Sequence, residues 1–167
     1  MALDTTIGGD SSDSYGSLAD YEAYVVANID ANFNGHGHDA THELHLRRAA
    51  QYIDRKYSFI GLKQYQTQSR SWPRLVRDLV DDWPVNPDTI PTDIIHAQFE
   101  LAYIFETDGL DPFATIGART KSEMIKVGPI TIDEESLPTT TPRIVAVEGL
   151  LRSYVKGGAG QIALVRG

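Results

Sequence analysis

The chain has no cysteine, only two tryptophans and two methionines, and fewer basic than acidic residues. Without cysteine there is no disulfide framework, no thiol nucleophile and no zinc knuckle. No apolar run is long enough to span a bilayer, and we expect no signal peptide, because the N-terminus lacks a basic segment followed by an apolar one. The sequence therefore predicts a soluble globular protein, suited to a reducing cytoplasm.

The formal net charge is −8, from 23 acidic against 15 basic residues. Proteins bind nucleic acids largely by neutralising phosphates with lysine and arginine. The charge therefore argues against nucleic-acid binding over a broad surface, although a local basic patch would escape this argument. A surface along which DNA slides without sticking would carry this sign of charge.

The spacing of apolar residues predicts one domain over residues 1–167 that is mainly α-helical. Its core, residues 17–156, combines four helices in a bundle-like arrangement with a long irregular loop and a small β-hairpin at about residues 123–134. Residues 1–16 are rich in glycine, serine and aspartate, which indicates a flexible arm. Residues 157–167 follow the last helix at a glycine stop and are expected to form a flexible C-terminal docking tail.

The predicted helices begin at residues that can cap them. Their expected bounds are Leu18 to about Ile29, about Thr41 to Tyr57, Thr92 to Asp108, and Pro142 to Lys156. The expected capping residues are Ser17, Thr92 and Thr141. The core side of the second helix is expected to carry Leu44, Ala49 or Ala50, Ile53 and Tyr57, and its opposite side Arg47, Arg48, Asp54 and Arg55. The third helix is apolar on most of its surface, which places it at the centre of the fold.

Four histidines lie close together with two acidic residues between them, at His36, His38, Asp39, His42, Glu43 and His45. Imidazoles one helical turn apart can share a metal ion. However, His-Glu-Leu-His is one residue shorter than the H-E-x-x-H motif of metalloproteases, and the alternative is a polar loop and helix start whose histidines face water. We expect no metal site and no cofactor.

Signs of enzymatic chemistry are weak elsewhere in the chain. The glycines at 157, 158 and 160 follow a helix and lack the lysine of a phosphate-binding loop, so a flexible hinge is the better interpretation. No G-x-S-x-G elbow surrounds any serine. Acidic pairs such as Asp81-Asp82 fall in loops and resemble solvated edges. The sequence therefore predicts that the protein is not an enzyme.

The best nucleic-acid candidate is the segment RKYSFIGLKQYQTQSRSWPR, residues 55–74, in which aromatic and basic residues are interleaved. Bases could stack on the rings while the cations hold phosphates. The alternative is that the rings anchor a long loop, residues 58–91, to the helices. A loop of this length in a compact domain usually has a function.

Both tryptophans, Trp72 and Trp83, stand directly before a proline. Proline disfavours helix for the residue before it, so each indole is expected on extended backbone. There it is either anchored in a crevice or displayed to a partner. Arg70 and Arg74 flank the first tryptophan. Tryptophan and arginine are both enriched in interface hot spots.

Several motifs in a fixed order resemble a family of small tailed-phage proteins, the head–tail connector (adaptor) subunits. The motifs are AAQYIDRKYSFIGLK, Q-x-R-x-WPR, IPTDIIHAQFELAY and VGPITI, over about residues 15–155. Members of this family are often labelled DnaT-like single-stranded-DNA-binding proteins. The segment LVRDLVDDWPVNPDT, which contains the second tryptophan, is longer here than is usual in the family.

The resemblance implies a subunit of the phage neck that forms a homo-oligomeric ring, usually a dodecamer. The ring binds the portal protein on one side and a tail-side neck or stopper protein on the other, and genomic DNA passes through its lumen without specific binding. The protein would be in the host cytoplasm during assembly and in the virion afterwards, with no membrane contact. The alternative function, from the label, is single-stranded-DNA binding.

Contacts with other subunits or with the portal are expected from the Trp-Pro segments and the apolar tail. The residues concerned are Arg70, Trp72, Pro73, Arg74, Trp83, Gln161, Ile162, Leu164, Val165 and Arg166.

Overall fold

The structure is a computed structural model that describes residues 2–35, 38–77, 79–109, 126–127, 130–131 and 142–156. Its helices are α1 (Leu18–Asn28), α2 (Asp39–Lys56), α3 (Thr92–Thr107) and α4 (Pro142–Leu151), which a 3₁₀ turn (Arg152–Tyr154) continues. Short strands pair antiparallel: β1 (Leu62–Lys63) with β2 (Arg74–Leu75), β3 (Leu79–Val80) with β4 (Trp83–Pro84), and β5 (Lys126–Val127) with β6 (Ile130–Thr131). The predicted helical fold with a small hairpin near residues 123–134 is confirmed.

Helix α3 is the centre of the fold. It packs against α1, α2 and α4, and its buried side chains include Ile94, Phe99, Leu101 and Ile104. A helix that is apolar on most sides gains free energy only when other elements cover it, so the expected central position is confirmed. Neither α3 nor any other helix that the structure describes is long and apolar enough to cross a membrane.

Helix α1 begins as the sequence predicts, because the Ser17 hydroxyl accepts a hydrogen bond from the backbone N–H of Asp20 at 3.2 Å. The inward face of α2 differs from the prediction. Leu46 is buried there, whereas Leu44 is 44% exposed. Asp54, expected to face water, is largely buried, with a side chain only 15% exposed. Asp54 is covered because Tyr15 of the N-terminal segment donates a hydrogen bond to it. Leu46 replaces Leu44 because the buried residues of α2 repeat at helical spacing through Leu46, Ala50 and Ile53.

Two predicted helix ends also differ from the observed ones. Thr92 is the first residue of α3 and not its cap, because Pro91 occupies the cap position. Helix α4 ends at Leu151, earlier than predicted. The chain leaves the helix there because the Tyr154 carbonyl accepts from the Ile60 N–H and the Lys156 N–H donates to the Ser58 carbonyl, in an extended arrangement.

Residues 2–16 pack against the body of the domain and do not form the flexible arm that their composition predicts. Ser14 and Tyr15 are buried. The Gln98 amide of α3 holds them: its Oε1 accepts hydrogen bonds from the backbone N–H groups of Tyr15 at 3.0 Å and Gly16 at 3.2 Å. Its Nε2 donates to the Ser14 hydroxyl at 2.7 Å. These partners are too distant in sequence for composition to indicate them.

Replacing Gln98 by methionine keeps the volume of the side chain but leaves the buried N–H groups of Tyr15 and Gly16 without their acceptor. We expect Gln98→Met to lower the free energy of unfolding by about 2–4 kcal/mol, the cost of two unsatisfied buried groups. Urea denaturation measures this value. Gln66→Met changes an exposed glutamine and is the matched control, with an unchanged midpoint. Equal midpoints for both variants would contradict the role of the Gln98 amide.

Candidate functional site

Trp72 closes the long loop between α2 and α3. Its side chain is 1% exposed, and the peptide bond to Pro73 is cis. The indole packs edge-on against Phe59, with ring centroids 5.7 Å apart, and against Tyr154 at 5.6 Å. Because Tyr154 follows α4, the indole joins the loop to the last described element. Trp72 is therefore an internal anchor, one of the two alternatives for a Trp-Pro segment.

Arg74 is used inside the same loop. Its guanidinium donates hydrogen bonds of 2.7 to 3.3 Å to four backbone carbonyls, those of Phe59, Ile60, Gly61 and Ser71. Burial lowers the pKa of the guanidinium. Gly61 has a φ of +71°, and a Cβ atom there would lie 2.3 Å from the Leu75 carbonyl oxygen, so only glycine fits this close approach. Four of the five N–H donors of Arg74 are therefore bonded within the fold.

Arg70 is neutralised by Asp54 of α2. Its Nη1 lies 3.2 Å from Asp54 Oδ2, and its Nε donates to the Ser12 carbonyl at 3.1 Å. The Tyr15 hydroxyl donates to the other Asp54 oxygen. Burial raises the pKa of Asp54, and burial followed by the Asp54 charge raises the pKa of Tyr15 well above its ordinary value. This cluster ties the N-terminal segment, α2 and the loop together.

The second tryptophan is exposed. Strands β3 and β4 are joined by Asp81 and Asp82, whose φ angles are +50° and +66°. Two positive φ angles are typical of the type I′ turn, which suits the twist of a tight hairpin, and aspartate tolerates them better than most residues do. Trp83 is 76% exposed and Leu79 60%. We refer to residues 79–84 as the tryptophan hairpin.

The first strand pair of the loop also displays apolar side chains. Leu62 and Leu75 are direct partners across β1 and β2, and they are 67% and 43% exposed. Direct partners in an antiparallel pair point to the same face, so the two leucines lie side by side in water. The loop therefore presents bulky apolar groups to solvent at both of its strand pairs.

A cleft of about 650 Å³ lies where the end of α2 meets α4. Its apolar walls are Tyr57, Val145, Leu151 and Val155. Its charged residues are Lys56, Glu148, Arg152 and Lys156. Gly149 also lines it, and apart from its own helix backbone and chain neighbours no atom of the described residues lies within 4 Å of the position that a Cβ would take there. We refer to this feature as the α2–α4 cleft.

The histidines are not arranged as a metal site in the described ranges, where no three His, Asp or Glu side chains are placed to share an ion. His42 is buried, so the expectation that these histidines face water is wrong for it. Its Nε2 lies 3.1 Å from Glu106 Oε1 and its Nδ1 3.6 Å from Glu22 Oε1. Burial lowers the pKa of His45. His36 lies outside the described residues.

The predicted interface residues fall into three groups. Those that are buried or paired inside the fold are Arg70, Trp72, Pro73 and Arg74. Trp83 is exposed, as an interface residue must be. The tail residues lie outside the described residues: Gln161, Ile162, Leu164, Val165 and Arg166.

Sequence reasoning missed the exposed leucines and the α2–α4 cleft. It also treated Asp81 and Asp82 as a solvated edge, although they form the turn that projects Trp83. One signal was available, since a glycine within a helix is unfavourable unless the space beside it matters. Gly149 is such a residue.

The whole chain, residues 1–167, matches the family described as "Putative DnaT-like ssDNA binding protein". The chain belongs to this family. No curated protein and no solved structure matches it. The match agrees with the DnaT-like label expected from the sequence motifs, whereas the head–tail connector assignment stays a prediction.

The raised pKa of Tyr15 predicts a loss of stability in alkali. Above about pH 10 an unfolded tyrosine loses its proton while folded Tyr15 keeps it, so the free energy of unfolding falls by up to about 1.4 kcal/mol per pH unit. In Tyr15→Phe this contribution is absent, and we expect the decline between about pH 8 and about pH 11 to be smaller than in the wild type.

Urea midpoints across this pH range measure the decline. Tyr65→Phe removes the hydroxyl of an exposed tyrosine and serves as the control, with a decline close to that of the wild type. A decline in Tyr15→Phe as steep as in the wild type would show that the buried hydroxyl does not contribute.

Proposed function

We propose that this chain is an architectural subunit of a tailed-phage neck, a head–tail connector that forms a ring beneath the portal and docks the tail. The observation that carries the proposal is the exposure of Trp83. Its side chain is 76% exposed, whereas that of Trp72 is 1% exposed. Tryptophan is the residue type most enriched in protein–protein hot spots. Two exposed leucine-bearing strand pairs extend the apolar surface, and burying such groups against a neighbour is favourable.

The internal bonding of Arg70 and Arg74 supports protein docking over nucleic-acid binding. Stacking modules need exposed rings next to free cations. Here Arg70 is paired with Asp54 and the donors of Arg74 are bound to carbonyls. The exposed Trp83 follows two carboxylates that would repel a phosphate backbone.

Single-stranded-DNA binding is the second candidate, and the family description favours it. The described residues offer a modest platform for it at Tyr65 and Lys63. Tyr65 is 44% exposed, and Lys63 is exposed two residues before it. However, Lys63 Nζ already donates to the Gln68 carbonyl at 3.3 Å. A single ring and a single cation hold few phosphates, so the affinity from this platform would be low and strongly salt-dependent.

A titration with fluorescently labelled oligothymidine separates the two candidates. We expect no saturable change of anisotropy at physiological salt, because the net charge is −8 and Arg70 and Arg74 are bonded within the fold. A sub-micromolar affinity that falls steeply with added salt would instead establish the DNA-binding function. Mass measurement of the chain mixed with the portal protein of the same genome tests the connector directly: we expect a complex with several copies of the chain per portal ring.

Removal of residues 157–167 should separate folding from docking. The last described element is closed by the Val155–Phe59 bridge and by a hydrogen bond of 2.7 Å from Lys156 N to the Ser58 carbonyl. A chain that ends at Lys156 should therefore keep a melting temperature close to that of the full chain but fail to bind the portal.

The double variant Ile162→Asp/Val165→Asp is the matched control, because it keeps the tail's length and removes its apolar character. It should also fold and fail to bind the portal. Unfolding of the truncated chain would show that the tail belongs to the core, and retained portal binding would remove its docking role.

A further inference from the structure

The turn of the tryptophan hairpin and the α2–α4 cleft carry opposite net charges. The hairpin carries an exposed indole directly after the carboxylates of Asp81 and Asp82. The cleft has apolar walls, three cations and one carboxylate, which give it a net charge of +2. The two aspartates of the turn carry a charge of −2. We propose that the hairpin of one copy of this chain docks in the α2–α4 cleft of a second copy.

The hairpin is prepared for docking in its free state. Its turn consists of two residues with defined positive φ angles, and β3 and β4 pair on either side of it. Trp83 thus projects from a short, hydrogen-bonded support rather than from a loose loop. Such preorganisation reduces the entropy that binding costs. Within one chain the indole of Trp83 stays exposed.

The cleft has room for an indole. Its volume of about 650 Å³ lies within the usual range of binding pockets. Gly149 lines this space, and a Cβ at its position would meet open space. Glycine within a helix costs about 1 kcal/mol relative to alanine, so the open space is maintained at a cost in helix stability.

The contact makes the association heterologous, because the hairpin and the cleft are different surfaces. Each copy offers one of each, so a chain that has used its hairpin still has a free cleft. Contacts of this kind repeat from copy to copy and give a closed ring when the rotation between copies permits closure. The inference rests on the proposed function for its place in a ring, but the contact can be measured on the chain alone.

Sedimentation velocity of the full chain from micromolar to near-millimolar concentration tests the contact. We expect the wild type to associate progressively, and both Trp83→Ala and Gly149→Leu to remain monomeric. Leucine is a better helix former than glycine and meets open space at this position, so Gly149→Leu fills the cleft without disturbing α4. The control Leu44→Ala removes another apolar side chain that is 44% exposed and should associate as the wild type does.

A mixture of the two deficient variants gives the sharpest result. Trp83→Ala keeps an intact cleft and Gly149→Leu keeps an intact hairpin, so the pair can form one hairpin–cleft contact and no more. We expect a 1:1 heterodimer, and no larger species at higher concentration. A mixture that remains monomeric, or a wild type that remains monomeric over the whole range, would overturn the proposal.

The charge complementarity has its own test. Asp81→Asn/Asp82→Asn keeps residues that tolerate positive φ and removes both carboxylates. We expect its association constant to fall about tenfold and to lose most of its salt dependence, because the screened attraction is absent. Association equal to that of the wild type would contradict the assigned orientation.

Other occupants of the cleft would give different results. Self-association that survives Gly149→Leu but disappears in the chain ending at Lys156 would assign the contact to the C-terminal tail and overturn the hairpin–cleft pairing. The connector function is tested separately, since portal binding without self-association would refute only the contact, and self-association without portal binding would refute only the connector.

Discussion

Burial of the Trp72 indole between Phe59 and Tyr154 determines the arrangement of the whole loop between α2 and α3. It brings the backbone near residue 60 against the backbone near residue 73, where only two residue pairs form a ladder. Carbonyl groups in such an irregular crossing need donors, since an unpaired buried carbonyl costs free energy. Arg74 supplies several donors from one planar group, which an ordinary hydrogen-bonding side chain cannot do.

This constraint also decides which groups reach the solvent. Once the guanidinium of Arg74 and that of Arg70 are directed inward, the exposed groups of the loop include three leucines and a tryptophan, together with Lys63, Arg77 and the aspartates of the turn. The ion pair between Lys56 and Glu148 adds little attraction for phosphate, because the ammonium of Lys56 is offset by a carboxylate 2.9 Å away. Its side chains are 35% and 44% exposed, so the pair contributes little to stability as well.

The sequence alone predicted those features that depend on neighbouring residues. Ser17 caps α1 because a capping hydroxyl reaches a backbone N–H three residues on. Helix α3 lies at the centre because its apolar surface is removed from water only when other helices cover it on several sides. The two Trp-Pro segments show the limit of such reasoning. Trp72 and Trp83 share the same local backbone preference, yet one is 1% and the other 76% exposed. The difference depends on Phe59 and Tyr154, which approach only after folding.

Long-range polar partners limited the prediction in the same way. A segment rich in serine, glycine and aspartate is flexible unless specific groups hold it, and here Gln98 and Asp54 do so. Their sequence positions carry no sign of this role. The α2–α4 cleft was missed because it is a space between elements, which apolar periodicity cannot reveal. Only Gly149 marked it in the sequence.

The strength of the hairpin–cleft contact follows from the area that a tryptophan can bury. An indole buries about 150–250 Å², which corresponds to about 4–6 kcal/mol at about 25 cal/mol per Å². Association costs about 4–15 kcal/mol in lost translation and rotation, so one such contact gives a weak dimer at best. When several copies are held side by side on a template, each further contact becomes intramolecular and its effective concentration rises to the millimolar range or above. A contact that associates free chains only weakly, towards the near-millimolar end of the concentration range, can therefore be sufficient within a ring.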